Sequence, residues 1–475
     1  MIKTGFFVML FSLSCLTVPA AATDPKLLLP HRGCYVLSAT LHDLDSDLFK
    51  LSDVNPALCT YVVYGFSAIQ GTQLSLTKSD EENLMICGMM RQVNPALNIF
   101  LAVDAGDAGT EKALAELSEA KARGEFVRLT VQQLRAHNAD GLVLHTESLS
   151  YASANVVALL LQELREKFVE ESAASKQSRL ALVINVGNAA KTSRLDPQLL
   201  TGTADIIQVR SFDYHTPASE PTVTGHNSPL YRPSGPASNS PFTGSIENTF
   251  HDWEILGIPR QKLVLTIPLY GQAWRLISPL RYDPGAPAVG EASMRGRYWD
   301  VAGKLAFHDI CERLPSENLT RVFDSDAMAP YAHDNISRTW VSYDDLESVR
   351  IKARWLLEGN YGGVVFWELS LEDFNGTCGM HPMGLLKGVA DVFAANAKVL
   401  FEDKRMCDQS FCLKRGVGVF ALGACNDSYC NCDHGGKAFT VACGPGTVFD
   451  SLTLVCNYAA SMKACDGTIN SKKKI

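Results

Sequence analysis

Residues 140–147, DGLVLHTE, decide the fold. The run Gly141–Leu144 carries no polar side chain, so it reads as a strand buried on both faces. It then breaks into a polar cluster of His145, Thr146 and Glu147. A buried strand that ends on titratable groups is what a barrel enzyme needs, because such barrels collect their chemistry at the C-terminal ends of the strands. Only one carboxylate stands in this cluster, so the stretch marks either an active site or the remains of one.

Working outward, seven further runs repeat the pattern: CYVL (34–37), CTYVVYGFSA (59–68), NIFLAVDAG (98–106), LALVINVG (180–187), ADIIQVRSFD (204–213), KLVLTIPLYG (262–271) and GGVVFWEL (362–369). Amphipathic stretches such as FVRLTVQQLRAHN (126–138) and VVALLLQELREKFVEE (156–171) lie between them. Continuous apolar strands alternating with helices imply a parallel sheet covered on both faces, and eight such units predict an α/β chain closed as a (β/α)8 TIM barrel over 23–398. About ninety residues separate the last two runs, rich in Pro and Gly around SPLRYDPGAPAVGEA. That length predicts a small α+β insertion before the last strand, at about 273–342.

The N-terminus, MIKTGFFVMLFSLSCLTVPAAATD, has one lysine, an apolar run too short for a bilayer span and then small residues. It reads as a signal peptide over 1–22, so the mature chain is expected to be secreted, extracellular and without a membrane span. A formal net charge of −8 argues against nucleic acid as a partner. Of 14 cysteines, Cys15 falls in the leader and eight crowd into Cys407–Cys465, leaving Cys34, Cys59, Cys87, Cys311 and Cys378. The dense set reads as a disulfide-rich β module over 407–466; the alternative, a zinc site built on CNDSYCNC, lacks a second close CxxC pair. Cys87, in LMICGMM, reads as a buried thiol, while Cys311 and Cys378 are placed to staple the insertion to the barrel. Asn318, Asn335, Asn375 and Asn426 begin Asn-x-Ser/Thr triplets and are candidate glycosylation sites.

Together, GCYVLSATLHDL, VNPALCTYVVYGFSAI, FDYH with TGHNSPLY, IPLYG, and WVSYDDLESVRIKARWLLEGN leading into GGVVFWELSLEDF resemble the family 18 glycoside hydrolases, the chitinases and chitinase-like proteins. The cysteine module, with its six-cysteine ladder and GTVFD, resembles a peritrophin-type chitin-binding domain. The first resemblance implies a Cys34–Cys59 bridge. The second implies Cys412–Cys432, Cys425–Cys465 and Cys443–Cys456, with Cys407 and Cys430 as an extra pair; the cysteine spacing alone leaves every pairing open.

Family 18 hydrolysis is substrate-assisted: the N-acetyl group of the sugar attacks the anomeric carbon, while the protein supplies an acid and a carboxylate that holds the acetamide. The resemblance places the family pattern DxxDxDxE on Asp140, Val143, His145 and Glu147. Glu147 therefore keeps the acid's position, while Val143 and His145 replace two aspartates. Thr146 and Ser148 replace the tryptophan and tyrosine that flank the acid, Phe212 replaces a tyrosine, and Arg210 replaces a methionine. An imidazole cannot hold the acetamide as a carboxylate does, and if protonated it lowers the pKa of an acid that must stay protonated. A structural partnership of His145 with Glu147 or Asp213 is expected; a metal on His145, Glu147 and Asp213 has no supporting pattern, so no metal and no cofactor are assigned.

Tyr35, Phe66, Asp213, Tyr270 and Trp367 remain as candidate sugar-binding residues, with barrel packing the alternative for Phe66 and Trp367. Ala39 and Gly106 replace the tryptophans usual after strands one and three, and Gln272 an arginine. In the module, Phe420, Tyr429, Phe439, Phe449 and Tyr458 are the candidate chitin-binding aromatics. The expected function is a secreted, inactive chitinase-like protein that binds chitin or another N-acetylglucosamine glycan in extracellular matrix or cuticle, with the barrel open to a protein partner. The alternatives are an endochitinase using Glu147 as acid and a growth-factor-like signalling protein.

Overall fold

The computed structural model describes residues 24–41, 49–233, 244–316 apart from 298 and 300, and 319–402. Within 407–458 it describes 407, 409, 412, 418–421, 427–433, 435, 437–450 and 455–458. The expected signal peptide, Cys425, Cys465, Asn318 and Asn426 lie outside the described residues. Two compact units divide the chain, one up to Ala390 and one from Asp391.

Eight parallel strands close into a barrel: β1 (His31–Leu37), β2 (Tyr61–Gln70), β3 (Asn98–Asp104), β4 (Gly141–His145), β5 (Ala181–Val186), β6 (Ile206–Arg210), β7 (Leu263–Pro268) and β8 (Gly363–Trp367). Each pairs with the next, and β1 pairs with both β2 and β8, so no strand edge is left in the ring. Tyr35, Tyr61, Val63, Phe100, Val143, Val183, Val264 and Val365 fill the interior. The β-branched residues that made these runs legible are the ones that pack there. Asp140 lies at the foot of β4, where its carboxylate accepts the Ile99 N–H at 2.8 Å and pairs with Arg91. It fixes the entry of the strand rather than its chemistry.

Between β7 and β8 a second sheet is built from Tyr270–Leu276, Ala288–Glu291, Lys304–Ala306, Leu319–Asp324, Ala329–Asp334 and Thr339–Ser342, with the helix Phe307–Ser316 beside it. Trp274, Tyr331 and Trp340 form its core, the Trp340 ring 5.5 Å from Trp274 and 5.2 Å from Tyr331. The first and last strands of this insertion pair with each other, Gln272 opposite Ser342. A Cys311–Cys378 disulfide ties its helix to the loop after β8, and a Cys34–Cys59 disulfide joins β1 to the entry of β2. Lys352, fully buried in the helix Leu346–Glu358, reaches both oxygens of Asp344 at 2.6 and 2.7 Å and the Ser228 carbonyl at 2.7 Å. A charge at that depth is tolerated because every ammonium proton has an acceptor. Cys87 is a free, buried thiol, and burial pushes its pKa up to about 12.

The last barrel helix, Gly384–Glu402, runs past the expected boundary at 398. Beyond it, the strands Gly418–Ala421, Ser428–Cys432 and Ala438–Ala442 form one small sheet, and Thr447–Asp450 with Val455–Tyr458 form a hairpin. Disulfides join Cys407 to Cys430, Cys412 to Cys432 and Cys443 to Cys456. Among the described residues the one group with metal-ligand spacing is Cys412, Cys430 and Cys432, and all three are committed to disulfides. No described helix is long and apolar enough to cross a membrane. Asn335 and Asn375 are exposed.

Candidate functional site at the barrel mouth

The mouth has two layers. In the inner layer, His145 at the end of β4 is buried, with Nε2 2.8 Å from the Tyr35 hydroxyl. That hydroxyl donates to Gln208 Oε1 at 2.5 Å, and Gln208 Nε2 donates to the Tyr61 hydroxyl at 3.1 Å. Because the single Tyr35 proton goes to Gln208, its oxygen accepts from His145 Nε2–H. The rings of Phe66, Trp367 and Tyr35 enclose the imidazole at 4.7, 5.4 and 5.5 Å between centroids. His145 therefore has Tyr35 as its hydrogen-bond partner, with Glu147 Oε1 3.9 Å from Nδ1, beyond hydrogen-bond range; Asp213 is not its partner.

The outer layer is ionic. Arg210, at the end of β6, donates to Glu147 Oε2 at 2.9 Å and to Asp213 Oδ2 at 2.5 Å, and its guanidinium lies 4.8 Å over the Phe212 ring. Asp213 sits at φ 55°, a left-handed conformation that Asp tolerates better than most residues, and its N–H donates to Asn227 Oδ1. Its other carboxylate oxygen accepts from the Tyr270 hydroxyl at 2.7 Å and from Gln272 Nε2 at 2.6 Å. Burial pushes the Glu147 carboxyl up, but His145 and the Arg210 charge outweigh that and hold it below the usual carboxylate range. Burial acts against the Arg210 charge too, and the charges of Glu147 and Asp213 more than restore it. At neutral pH Glu147 is thus ionised and paired with Arg210.

The structure separates the candidate sugar-binding residues. Tyr35 is fully buried inside the barrel and Tyr270 nearly so, with the hydroxyls committed to Gln208 and Asp213. Phe66 and Trp367 are half-buried at the mouth and pack on the barrel core. Asp213 is held by Arg210, Tyr270 and Gln272. At Gly106 an added Cβ would meet the Ser148 side chain at 2.8 Å, so the loops after β3 and β4 approach too closely for any larger side chain.

In the module, Phe449 is buried and stacks on Tyr429 at 4.5 Å, a core role rather than a binding one. Phe420 packs on the buried cysteines, while Phe439 is 49% and Tyr458 71% exposed.

Sequence reasoning missed several residues at the mouth. Trp299 lies 5.2 Å from Tyr270, and Lys304 lies over both rings at 5.1 and 5.8 Å. Both come from the irregular insertion, where no periodicity points inward. Gln208 did leave a signal: it is the one polar residue inside the apolar run IIQV. Beyond β8, Glu368 and Glu372 are buried, and burial raises their pKa values to about 7 and about 8.

A closed parallel barrel with its polar groups gathered at the strand C-termini, an α+β insertion after β7 and a disulfide-stapled module define a (β/α)8 barrel protein of the kind that keeps its site at the strand ends. The signature of Glycosyl hydrolases family 18 matches residues 32–372, and that of the Chitin binding Peritrophin-A domain matches residues 412–465. The chain belongs to glycosyl hydrolase family 18 and carries a chitin-binding domain. It is 28% identical to mouse chitotriosidase-1 over 451 residues, covering 90% of this chain and 95% of that one. It is 29% identical to human chitinase-3-like protein 2 over 363 residues, covering 75% and 90%. Among solved structures it is similar to human YKL-39, described as a pseudo-chitinase with retained chitooligosaccharide binding properties. The TM-score there is 0.70 at 28% identity, over 77% of this chain and 99% of that one.

Proposed function

We propose that this chain is a secreted, catalytically inactive chitinase-like protein that attaches to chitin or a related N-acetylglucosamine glycan in extracellular matrix or cuticle. The observation that carries the reading is Arg210, which binds Glu147 and Asp213 together and keeps the acid's carboxylate ionised. Two further features support it. His145 occupies the place from which a carboxylate would hold the acetamide, and Phe212 has no hydroxyl to offer. Losing one oriented stabiliser costs roughly a hundred- to a thousandfold in turnover, and here at least two are absent. The exposed rings of Phe439 and Tyr458 are the module residues proposed to contact glycan. The apolar leader and the disulfides support export, and Asn335 and Asn375 are proposed glycan carriers. The barrel surface is free to recognise a protein partner.

The test measures hydrolysis of a fluorogenic N-acetylglucosamine oligomer beside retention on insoluble chitin. The expected result is retention that falls on the order of tenfold in a Phe439→Ala, Tyr458→Ala double variant, about 1.4 kcal/mol, with no turnover above a Glu147→Gln control. Turnover abolished by Glu147→Gln would make the chain an endochitinase. Unchanged retention in the double variant would remove the module from the binding role.

A further inference from the structure

A groove of about 880 Å³ lies between the helix Phe307–Ser316 of the insertion, the helix Leu346–Glu358 and the loop after β8. Its walls include none of the mouth residues His145, Glu147, Arg210 and Asp213. Leu314 lines it from the first helix, Leu346 and Ile351 from the second and Met380 from the loop, and each of these four apolar side chains is only half-buried. Two ties hold the walls apart from any guest. The Cys311–Cys378 disulfide fastens the first helix to the loop, and Arg321 fastens the strand Leu319–Asp324 to the start of the second helix through Asp345 and Glu347, each at 2.7 Å. A groove fixed in this way need not be ordered when something binds. Charge sets the sign of the guest. Arg321 is engaged by its two carboxylates, whereas Arg350 and Arg354, also on the wall, have no hydrogen-bond or ion-pair partner among the described residues. They stand one helical turn apart, about 6 Å along the axis, and so share a face.

We propose that this groove docks an acidic amphipathic helix of a partner protein, its apolar residues on Leu314, Ile351 and Met380 and two carboxylates one turn apart on Arg350 and Arg354. Carboxylates at i and i+4 of a helix repeat at the spacing of the two arginines, and a groove walled by helices takes a helical guest by its i, i+3 and i+7 side chains. A basic helix would bring like charges onto both arginines, and a purely apolar one would gain nothing from them. The inference rests on the reading that the barrel recognises a protein partner, and it supplies that partner's place and chemistry.

The test titrates the full chain with a fluorescein-labelled helical peptide carrying Leu at i, i+3 and i+7 and Glu at i+4 and i+8, with the same peptide carrying Gln at both Glu positions, and with oleate. The acidic peptide is expected to bind and to move the Met380 methyl resonance, assigned by Met380→Leu, while the Gln peptide binds roughly fivefold more weakly. In the Arg350→Glu, Arg354→Glu double variant the acidic peptide is expected to lose roughly tenfold in affinity, and a peptide with Lys at both positions to bind better than it does to the unaltered chain. Arg354 is exposed and Arg350 half-buried, and the thermal midpoint of the double variant, set beside that of the unaltered chain, checks that it folds. No binding of the acidic peptide, binding without a Met380 response, equal affinity for the Gln peptide, or no gain for the Lys peptide in the double variant overturns the proposal. Oleate that moves Met380 at a lower concentration than the peptide makes the groove a site for a lipid anion and overturns it as well. Retention on chitin without peptide binding overturns this inference alone. Peptide binding without retention on chitin supports the groove and removes the glycan reading.

Discussion

The inner layer of the barrel mouth holds no carboxylate, whereas the outer layer holds two. Below, His145, Tyr35, Gln208 and Tyr61 are joined by hydrogen bonds among buried side chains. Above, Glu147 and Asp213 share one guanidinium near solvent. The difference follows from the cost of desolvation: an ion deep in the barrel must be matched by others, whereas neutral groups need only donors and acceptors that fit. On the proposed reading each layer works against acid catalysis in its own way: the lower one has no anion to stabilise a developing positive charge, and the upper one pairs its carboxylate with Arg210.

The largest effect expected from breaking this arrangement lies in the inner layer. Gln208→Leu removes the partner of both the Tyr35 and the Tyr61 hydroxyls, and urea unfolding at pH 7 should show a loss of about 3 kcal/mol. A loss under about 1 kcal/mol would mean that the chain is incidental to the fold.

A buried carboxyl without a counter-ion sharpens the contrast. Burial raises Glu372 from 4.5 to about 8, with Asp373 adding to the rise, while the Leu385 N–H opposes it. Its contribution to stability is therefore full below about pH 4.5 and is lost as pH rises through 8. Glu372→Gln should leave stability unchanged at pH 4 and raise it at pH 9 by on the order of 2 kcal/mol, read from paired denaturation curves. Equal curves at both pH values would refute the assigned cause.

The smallest effect belongs to the outer layer. Glu147 titrates below its ordinary value, so the stabilisation from its pairing is present above about pH 4.5 and fades as pH falls through the lowered pKa. Arg210→Met should cost about 1 kcal/mol at pH 7, with less at high salt and less as acid protonates Glu147. It should leave hydrolysis at background, because His145 and Phe212 remain. Hydrolysis appearing in this single variant would show that the ionic lock alone silences the barrel.

The barrel was legible in the sequence because strands buried on both faces leave unbroken apolar runs, and each of the eight quoted runs overlaps a barrel strand. The exchanged residues of β4 and β6 were legible too, since a strand fixes which positions reach the mouth. What the sequence did not reveal was partnership. Arg210 was visible as an odd substitution, but its simultaneous hold on Glu147 and Asp213 depends on the bend after β6, where Asp213 takes its left-handed turn. In the sequence Tyr35 is a candidate sugar-binding residue because an aromatic side chain looks alike whether it faces a ligand or the barrel axis. Trp253 and Arg194 drew no attention, because helices and loops distant in sequence place them beside Glu147.

The neck of the insertion has a consequence for how this architecture can be altered. Its outgoing and returning strands lie side by side, Gln272 opposite Ser342, and the loop after β6 also holds the intervening residues, the Thr224 N–H donating to the Ala286 carbonyl at 3.0 Å and the Ala288 N–H to the Thr222 carbonyl at 2.7 Å. Whatever is spliced beyond that pair changes the length of a closed loop, and each doubling of length costs only about 0.6 kcal/mol in closure entropy. Tyr270 and Gln272 lie on the barrel side of the neck and keep their hold on Asp213. The insertion is thus keyed rather than clipped on: an exchange of its outer surface has to keep the strand pair, the partners of the loop after β6 and the Cys311–Cys378 staple.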